Sequence, residues 1–286
     1  MTRSMLFVPA GSTAKFEKAL ASEADAIILD LEDSIALKEK PAARDNLVRL
    51  LQAHSHAHKD IWVRVNALES GLILDDLAAI APLPTFGIVL PKCDGAATLR
   101  QVAHYLDAFD ASARKPANHS RILAIATETA SSIFGLGTYA GVTPRLWGIT
   151  WGGEDLAGDL GSLSNRVGGT YTQPYQLARS LCLFAAAHAK VAAIDAVCVD
   201  LDDDESLRTE AEEGFRDGFV GKMAIHPKHL AAINRGYRAN REQQAWAHKV
   251  IAAFNDNPDA GALRMDGKMI DAPHWRLAQR LAERNT

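Results

Sequence analysis

Short, nearly continuous apolar runs alternate along this chain with longer amphipathic segments. Runs of strand character fall near 4–9 (SMLFVP), 25–31 (DAIILDL), 60–66 (DIWVRVN), 87–92 (GIVLPK), 121–128 (RILAIATE), 146–152 (LWGITWG), 192–200 (AAIDAVCVD) and 218–225 (GFVGKMAI). Each is too short for a helix and is bounded by polar or turn-forming residues. Helical periodicity occupies 12–22, 41–53, 72–80, 95–109, 174–189, 204–214 and 228–238, with Pro41 and Pro174 where a first helical turn accepts proline. The stretch 130–144 is a weaker helix, because Gly135, Gly137 and Gly141 interrupt it.

Strands that read as apolar on both faces belong to parallel sheets sheltered by helices. Eight strand–helix alternations without a long structureless linker therefore predict an α/β fold, a (β/α)8 TIM barrel over 1–238. The remainder, 239–286, reads as a basic and polar C-terminal helical extension or lid, with two helices around RMDGKMIDAPHW. A doubly wound open sheet is the rival. Only a lone G-x-G occurs in GLGTYAG at 135–141, and no G-x-G-x-x-G follows the first strand, so dinucleotide binding has little support.

Composition narrows the chemistry. With 286 residues, 48% hydrophobic and 23% charged, and a net charge of -4, the chain has no electrostatic footprint for nucleic acid or an anionic membrane. No segment approaches the ~20 apolar residues of a membrane span. The N-terminal MTRSMLFVPAG has only a short apolar run that meets Pro9. Cys93, Cys182 and Cys198 include no C-x-x-C pair, so neither a disulfide framework nor a zinc knuckle is encoded, and a cytoplasmic location is the expectation.

In a barrel enzyme the carboxyl ends of the strands converge on the active site. Here those ends are polar: Asp30, Glu32 and Asp33 close the second run, Arg64 and Asn66 the third, Lys92 the fourth and Glu128 the fifth, while the sixth leads into Glu154 and Asp155. Period-two alternation puts Asp30 with Glu32 on one side of their strand, and Trp62, Arg64 and Asn66 on one side of theirs. Any one of these acids serves as well for a helix cap or a solvated loop, and an arginine there as a counter-charge. Taken together, acids outnumber bases, so a bound divalent cation would relieve the repulsion, while Arg64, Lys92 and Asn66 remain for an anionic substrate. Hard oxygen ligands favour Mg2+ or Mn2+ over zinc. Other candidates are weaker. HSHAH at 54–58 follows a helix in a polar loop, and His226 and His229 in IHPKH serve structural hydrogen bonding more readily than catalysis. No G-x-S-x-G or Walker loop is present.

The motifs RSMLFVPAG, DAIILDLEDS, VRVN, VLPK, ETA at 128–130, GGEDL at 152–156, GKMAIHP and GKMIDAP, in that order, resemble the citrate lyase beta-subunit-like family, which groups with malyl-CoA and citramalyl-CoA lyases and the HpcH/HpaI aldolases. The resemblance implies a barrel whose Mg2+ is held by Glu128 and Asp155, with Glu32 and Asp33 close by, ordering metal-bound water and orienting Arg64, and Arg64 gripping the substrate. It implies cleavage or formation of a carbon–carbon bond between a 2-keto acid (oxaloacetate, glyoxylate or pyruvate) and the enolate of an acetyl or propionyl thioester, carried on CoA or an acyl carrier. Asp271 in GKMIDAP would exchange the proton at the acyl carbon, from a lid of the same or a neighbouring subunit; read by itself, it is an N-cap for the final helix. Trimers or hexamers are implied. Two readings compete: a class II-type aldolase on a free hydroxy or keto acid, and a non-catalytic acyl-carrier-binding subunit. Two departures, Ala10 in V-P-A-G where the family commonly has V-P-G and His229 where glutamine is usual, bear on the identity of the substrate.

Overall fold

The computed structural model describes residues 2–56 and 58–283. Eight parallel strands close into a barrel in the order β1-β10-β9-β6-β5-β4-β3-β2. They are β1 (Ser4–Pro9), β2 (Ala26–Asp30), β3 (Asp60–Arg64), β4 (Gly87–Leu90), β5 (Arg121–Ile125), β6 (Leu146–Thr150), β9 (Ala192–Asp195) and β10 (Gly221–Ala224); a short hairpin, β7 (Arg166–Val167) with β8 (Thr170–Tyr171), intervenes. Helices α1 (Thr13–Leu20), α2 (Lys40–Ala53), α3 (Ile73–Ile80), α4 (Ala96–Ser112), α5 (Ala130–Gly135), α6 (Gly153–Leu160), α7 (Gln173–Ala189), α8 (Asp204–Asp217) and α9 (Leu230–Gly236) follow the strands. The predicted barrel is thus the observed fold. Its interior is filled by Met5, Ala26, Ile28, Trp62, Val89, Leu123, Ile125, Ile194 and Met223.

The strands are shorter than their apolar runs, and the reason lies at the polar ends. Beyond the ladders the chain keeps single bonds to its neighbour, as in Leu31 N–H to Arg64 O at 3.0 Å and Ala126 N–H to Thr150 O at 2.9 Å, before turning into the loops of the mouth. The glycine-interrupted stretch after 130 forms α5 and one 3-10 turn, Leu136–Thr138. Gly135 allows a close approach there: a Cβ on it would lie 1.9 Å from the Asp94 carbonyl oxygen. Helix α6 and the β7–β8 hairpin were not anticipated. Three glycines weaken the helical pattern of 152–160, and two-residue strands carry almost no periodic signal.

The chain divides into two compact units, Thr2–Gly236 and the segment from Tyr237 on. In the second, α10 (Arg241–Asn255) and α11 (Ala272–Glu283) pack together, and β11 (Ala262–Met265) pairs antiparallel with β12 (Lys268–Asp271). RMDGKMID is therefore a hairpin between the two expected helices. Asp266 and Gly267, at φ 49° and 77°, make the two-residue turn whose positive φ values suit Asp-Gly.

Candidate active site

Alternation decides what enters the mouth. Ile28 and Trp62 point into the barrel, so Asp30 and Arg64, two residues on, point the same way and lie opposite each other in register. Arg64 Nε donates to Asp30 Oδ1 at 2.7 Å and Nη2 to Oδ2 at 2.8 Å. This bidentate pair fixes the guanidinium plane, which stacks 4.9 Å from the Phe7 ring centroid. Asp30 also accepts the backbone N–H groups of Glu32 at 2.9 Å and Ser34 at 3.2 Å, so one carboxylate shapes the whole LEDS turn. Burial alone would raise its pKa, but Arg64 and these donors outweigh burial and hold it below the usual carboxylate range.

The outer edge of Arg64 reaches the other two acids of the turn. Nη1 donates to Asp33 Oδ2 at 3.2 Å and lies 3.1 Å from Glu32 Oε2. The second contact is an ion pair without hydrogen-bond alignment, and Glu32 Oε2 is a buried oxygen with no hydrogen-bond partner among the described residues. Burial, with Asp33 nearby, pushes the Glu32 carboxyl up despite Arg64 and Lys92.

Lys92 joins the two halves of the site. Its φ of 49° is left-handed, and its backbone N–H donates to Glu128 Oε2 at 2.5 Å while its Nζ lies 2.6 Å from Glu32 Oε1 and 3.5 Å from Asp155 Oδ1. Burial lowers its pKa, but the bond to Glu32 and the charges of Glu32, Glu128 and Asp155 more than reverse that, so it stays an ammonium. Lys92, expected to meet substrate, stands between Glu32 and Asp155 and lines a hollow with Glu128 and Asp155. Asn66 is likewise engaged in the wall. Its backbone N–H and Nδ2 donate to Asp76 at 2.8 and 2.7 Å, and Lys40 Nζ donates to its Oδ1 at 2.5 Å and to the carbonyls of Leu31 and Glu32.

Glu128 is 3% exposed and follows β5; Asp155 stands in the first turn of α6, where the helix dipole favours a carboxylate. Gly152 is required between them, since a Cβ there would lie 2.7 Å from Glu128 Cγ. Both acids line a cavity of about 670 Å3 that Asp30, Asp33 and Arg64 also line, and a second, adjoining hollow is lined by Lys92, Glu128 and Asp155. Burial, then the charges of Asp155 and Glu32, push the Glu128 carboxyl up to about 8 against the pull of Lys92. A carboxylate held at that level is one that a cation would return to its charged form. Among the described residues no cluster of three or more His, Cys, Asp or Glu side chains forms a closed metal site. Two carboxylates with open positions match a hard cation that keeps water and takes substrate oxygens, so the donor set fits Mg2+.

One wall of the cavity was not anticipated. Trp151 donates from Nε1 to Asp195 Oδ1 at 2.7 Å, meets Tyr171 edge-to-face at 4.9 Å, and the Arg166 guanidinium covers Tyr171 at 3.6 Å. Asp30 in the role of clamp, Lys40 and this aromatic wall depend on partners far apart in the chain; only the alternation of β2 pointed to Asp30. His226 lines the cavity but accepts Lys228 N–H at 3.2 Å through Nδ1 as a cap, and His229 is buried. His54 Nδ1 contacts Leu50 O at 3.0 Å; Ala57 of the histidine-rich loop lies outside the described residues. In the second unit, Asp271 ends β12 directly before α11, with Oδ1 2.6 Å from His274 Nδ1.

A sequence model described as HpcH/HpaI aldolase/citrate lyase matches residues 3–227. The chain belongs to this family. Within it, the chain is similar to a citrate lyase subunit beta-like protein of Mycobacterium tuberculosis, 33% identical over 280 residues that cover 98% of this chain and 94% of that one. A (3S)-malyl-CoA thioesterase of Cereibacter sphaeroides is 33% identical over 278 residues, covering 95% and 90%. Among solved structures, Mycobacterium tuberculosis CitE in complex with magnesium, acetoacetate and coenzyme A superimposes with a TM-score of 0.80 at 32% identity, over 99% of this chain and 97% of that one.

Proposed function

We propose that this chain is a Mg2+-dependent carbon–carbon lyase, or synthase, of 3-hydroxyacyl thioesters of citryl, malyl or citramalyl type, giving a 2-keto acid and an acetyl or propionyl thioester. The observation that carries the reading is the convergence of Glu128 and Asp155 on one cavity with an arginine already locked in plane. Its support from kinship is the membership of a family whose relatives are named for citrate lyase and malyl-CoA chemistry.

Glu128 and Asp155 would hold the cation, with Mn2+ as the alternative to Mg2+. When bound, Mg2+ supplies Lewis-acid polarisation of the substrate's carboxylate and neighbouring oxygen. Arg64 stabilises the thioester enolate oxygen with N–H groups that Asp30 and Asp33 leave free, and Asp30 prevents the guanidinium from rotating away. Glu32 and Asp33 orient Arg64, and Glu32 holds Lys92 against Asp155. In the condensing direction the acyl α-carbon loses a proton and its electron pair forms the new bond to the keto carbon. The keto oxygen then takes the released π pair and a proton. Asp271, of the same or a neighbouring subunit, is the proposed group for the α-proton, its carboxylate held by His274 at 2.6 Å. The acyl carrier is proposed to be CoA, and the protein a homo-oligomer, for which the exposed Phe134, Leu163, Val167, Leu177 and Phe184 offer apolar surface.

The test is incubation of the purified chain with citryl-, malyl- and citramalyl-CoA, with Mg2+ and with EDTA, following keto acid and free thiol together. Metal-dependent keto-acid release with the thioester intact supports lyase chemistry. Thiol release without keto acid would make the protein a thioesterase, and no reaction with any of them would refute the reading.

A further inference from the structure

A chain of polar contacts stands behind the LEDS turn, outside the mouth. Lys40, the first residue of α2, directs its ammonium to three acceptors: Leu31 O at 2.8 Å, Glu32 O at 2.9 Å and Asn66 Oδ1 at 2.5 Å. An ammonium has three N–H donors, so none is left for a ligand. Asn66 in turn donates from its backbone N–H and from Nδ2 to Asp76 Oδ2, at 2.8 and 2.7 Å, and Arg44 Nε and Nη2 donate to Asp76 Oδ1 at 3.0 and 2.8 Å. The order of donors and acceptors fixes the Asn66 amide: a carboxylate takes its NH2 group, so its oxygen must face Lys40. Asp76 and Asn66 are buried, and Lys40 and Arg44, one turn apart, share a side of α2.

The two carbonyls on Lys40 reveal what this brace does. An extended strand turns successive carbonyls toward opposite neighbours, so two of them on one ammonium mark the point where the chain leaves β2. Asp30 holds the same turn from inside through the N–H groups of Glu32 and Ser34, and Glu32 O also accepts Ile35 N–H at 3.2 Å. The backbone of Glu32 is therefore gripped on both sides, and its side chain goes where the grip sends it. Its Oε2 has little to hold it there: this oxygen is buried, accepts no hydrogen bond among the described residues, and has the like charge of Asp33 nearby. A carboxylate so placed would turn toward solvent if its backbone were free. Held in place, it keeps Lys92 Nζ 2.6 Å from Oε1, which restrains the ammonium 3.5 Å from Asp155 Oδ1, and it faces Arg64 Nη1 at 3.1 Å.

Resting on the reading of Glu128 and Asp155 as metal ligands, we propose that Lys40 is a positioning residue of the active site. Held by Asn66, Asp76 and Arg44, it sets the place of Glu32, and through Glu32 it keeps the Lys92 ammonium from settling between Asp155 and Glu128, where the cation would bind. Lys59 is the comparison within the same barrel. Its Nζ makes a clamp of the same kind, on Ser22 O at 2.7 Å and Ala24 O at 2.6 Å, but ahead of β2 and β3, at the opposite ends of the strands.

The experiment is Mg2+ titration calorimetry, with thermal melts, on the full metal-free chain and on Lys40→Met, Glu32→Gln, their double variant and Lys59→Met. Lys40→Met should weaken Mg2+ binding about tenfold, the low end for groups that orient a metal's ligands. In the Glu32→Gln background the same substitution should change the affinity by less than about twofold, because the carboxylate through which Lys40 acts is gone. Lys59→Met should lower the thermal midpoint and leave Mg2+ affinity as it was. Should Lys40→Met not fold, Lys40→Gln, which still donates to one carbonyl, reads the same cycle. A loss that persists in Glu32→Gln, an unchanged affinity in a folded Lys40 variant, or an equal loss in Lys59→Met overturns the role of Lys40 and leaves the metal reading standing. A wild-type chain that binds no Mg2+ overturns both.

Discussion

At the ends of β2 and β3, Asp30 and Arg64 continue the inward rows of Ile28 and Trp62; at β9 and β10, Asp195 and Lys222 adjoin the inward Ile194 and Met223 and so face outward, against α7 and α8. The outward group closes its charge within itself. Arg179 Nη2 meets Asp195 Oδ2 at 2.9 Å, Lys222 Nζ lies 3.1 Å from Glu210 Oε2 and 3.9 Å from Asp195 Oδ2, Arg166 pairs with Glu210, and Arg179 extends to Asp217 at 3.4 Å. Three acids face three bases. The inward group sets five acids against two bases and leaves Glu32 Oε2 without a hydrogen-bond partner among the described residues. Burial would raise the Asp195 carboxyl, but Lys222 and Arg179 win and bring it down to about 2, whereas Glu128, almost as buried, goes up to about 8. Equal burial with opposite shifts separates a cluster that holds the barrel to its helices from one whose charge is not closed, as the proposed cation and substrate site requires.

The largest effects should come from removing the proposed metal ligands of the open cluster. Glu128→Ala and Asp155→Ala are each expected to lower Mg2+-dependent turnover by at least about 1000-fold, on the order of 4 kcal/mol. Thermal midpoints should hold or rise, because crowded carboxylates strain the metal-free fold. Titration calorimetry with Mg2+ and thermal melts check both halves, and unchanged metal affinity in both variants would reassign the ligands.

The closed cluster should answer in the opposite sense. Lys222→Met removes a buried cation from between Asp195 and Glu210, which keep Arg179 and Arg166, and should destabilise the fold by about 1.5–3 kcal/mol, the scale of a lost hydrogen bond to a charged group. The folded fraction should keep its metal affinity. Denaturant unfolding together with Mg2+ binding decides the matter; a catalytic defect at full stability would join the two clusters into one site.

How much of this was legible in the sequence follows from the same alternation. Apolar runs gave the barrel, because parallel strands between helices are apolar on both faces, and the polar residues at their ends gave the acids and Arg64. Asp195 and Lys222 sit on the same kind of apolar strand, and a run such as AIDAVCV does not say which side faces a helix. Asn66 shows the converse: it shares a side with Arg64 in the strand pattern, yet the ladder ends at Arg64 and the chain turns it onto Asp76. The aromatic wall needed Trp151, Tyr171 and Asp195 together, joined by contacts across 20 and 44 residues of chain.

Arg64→Lys tests whether the open cluster depends on the shape of its cation or on charge alone. Lysine keeps the charge but cannot grip Asp30 with two parallel N–H bonds while offering an outer edge to substrate. The expected loss in kcat/KM is about 2–4 kcal/mol, the scale of one oxyanion donor. Near-normal kcat/KM would make Arg64 a counter-charge, similar in kind to Arg179.

The smallest effect separates the clusters by pH. Burial and the neighbouring acids push the Glu128 carboxyl up to about 8, so a cation held there as proposed would displace a proton at neutral pH. Apparent Mg2+ affinity should therefore fall about tenfold for each pH unit below 8 and level off above it, with close to one proton released per ion at pH 6.5. Stability without metal runs in the other direction. A carboxyl raised from 4.5 to about 8 on folding binds its proton more tightly in the native state, so Glu128's contribution is fully present below 4.5 and is lost as pH rises through 8. Calorimetry in buffers of differing ionisation enthalpy measures the proton, and Glu128→Gln should flatten both dependences. Asp195, whose carboxyl is held at about 2, is ionised in folded and unfolded chains alike over this range and contributes no slope. A slope of metal affinity that survives in Glu128→Gln would therefore belong to another raised acid of the mouth, and Glu32, whose carboxyl burial pushes up and whose Oε2 accepts no hydrogen bond among the described residues, is the candidate.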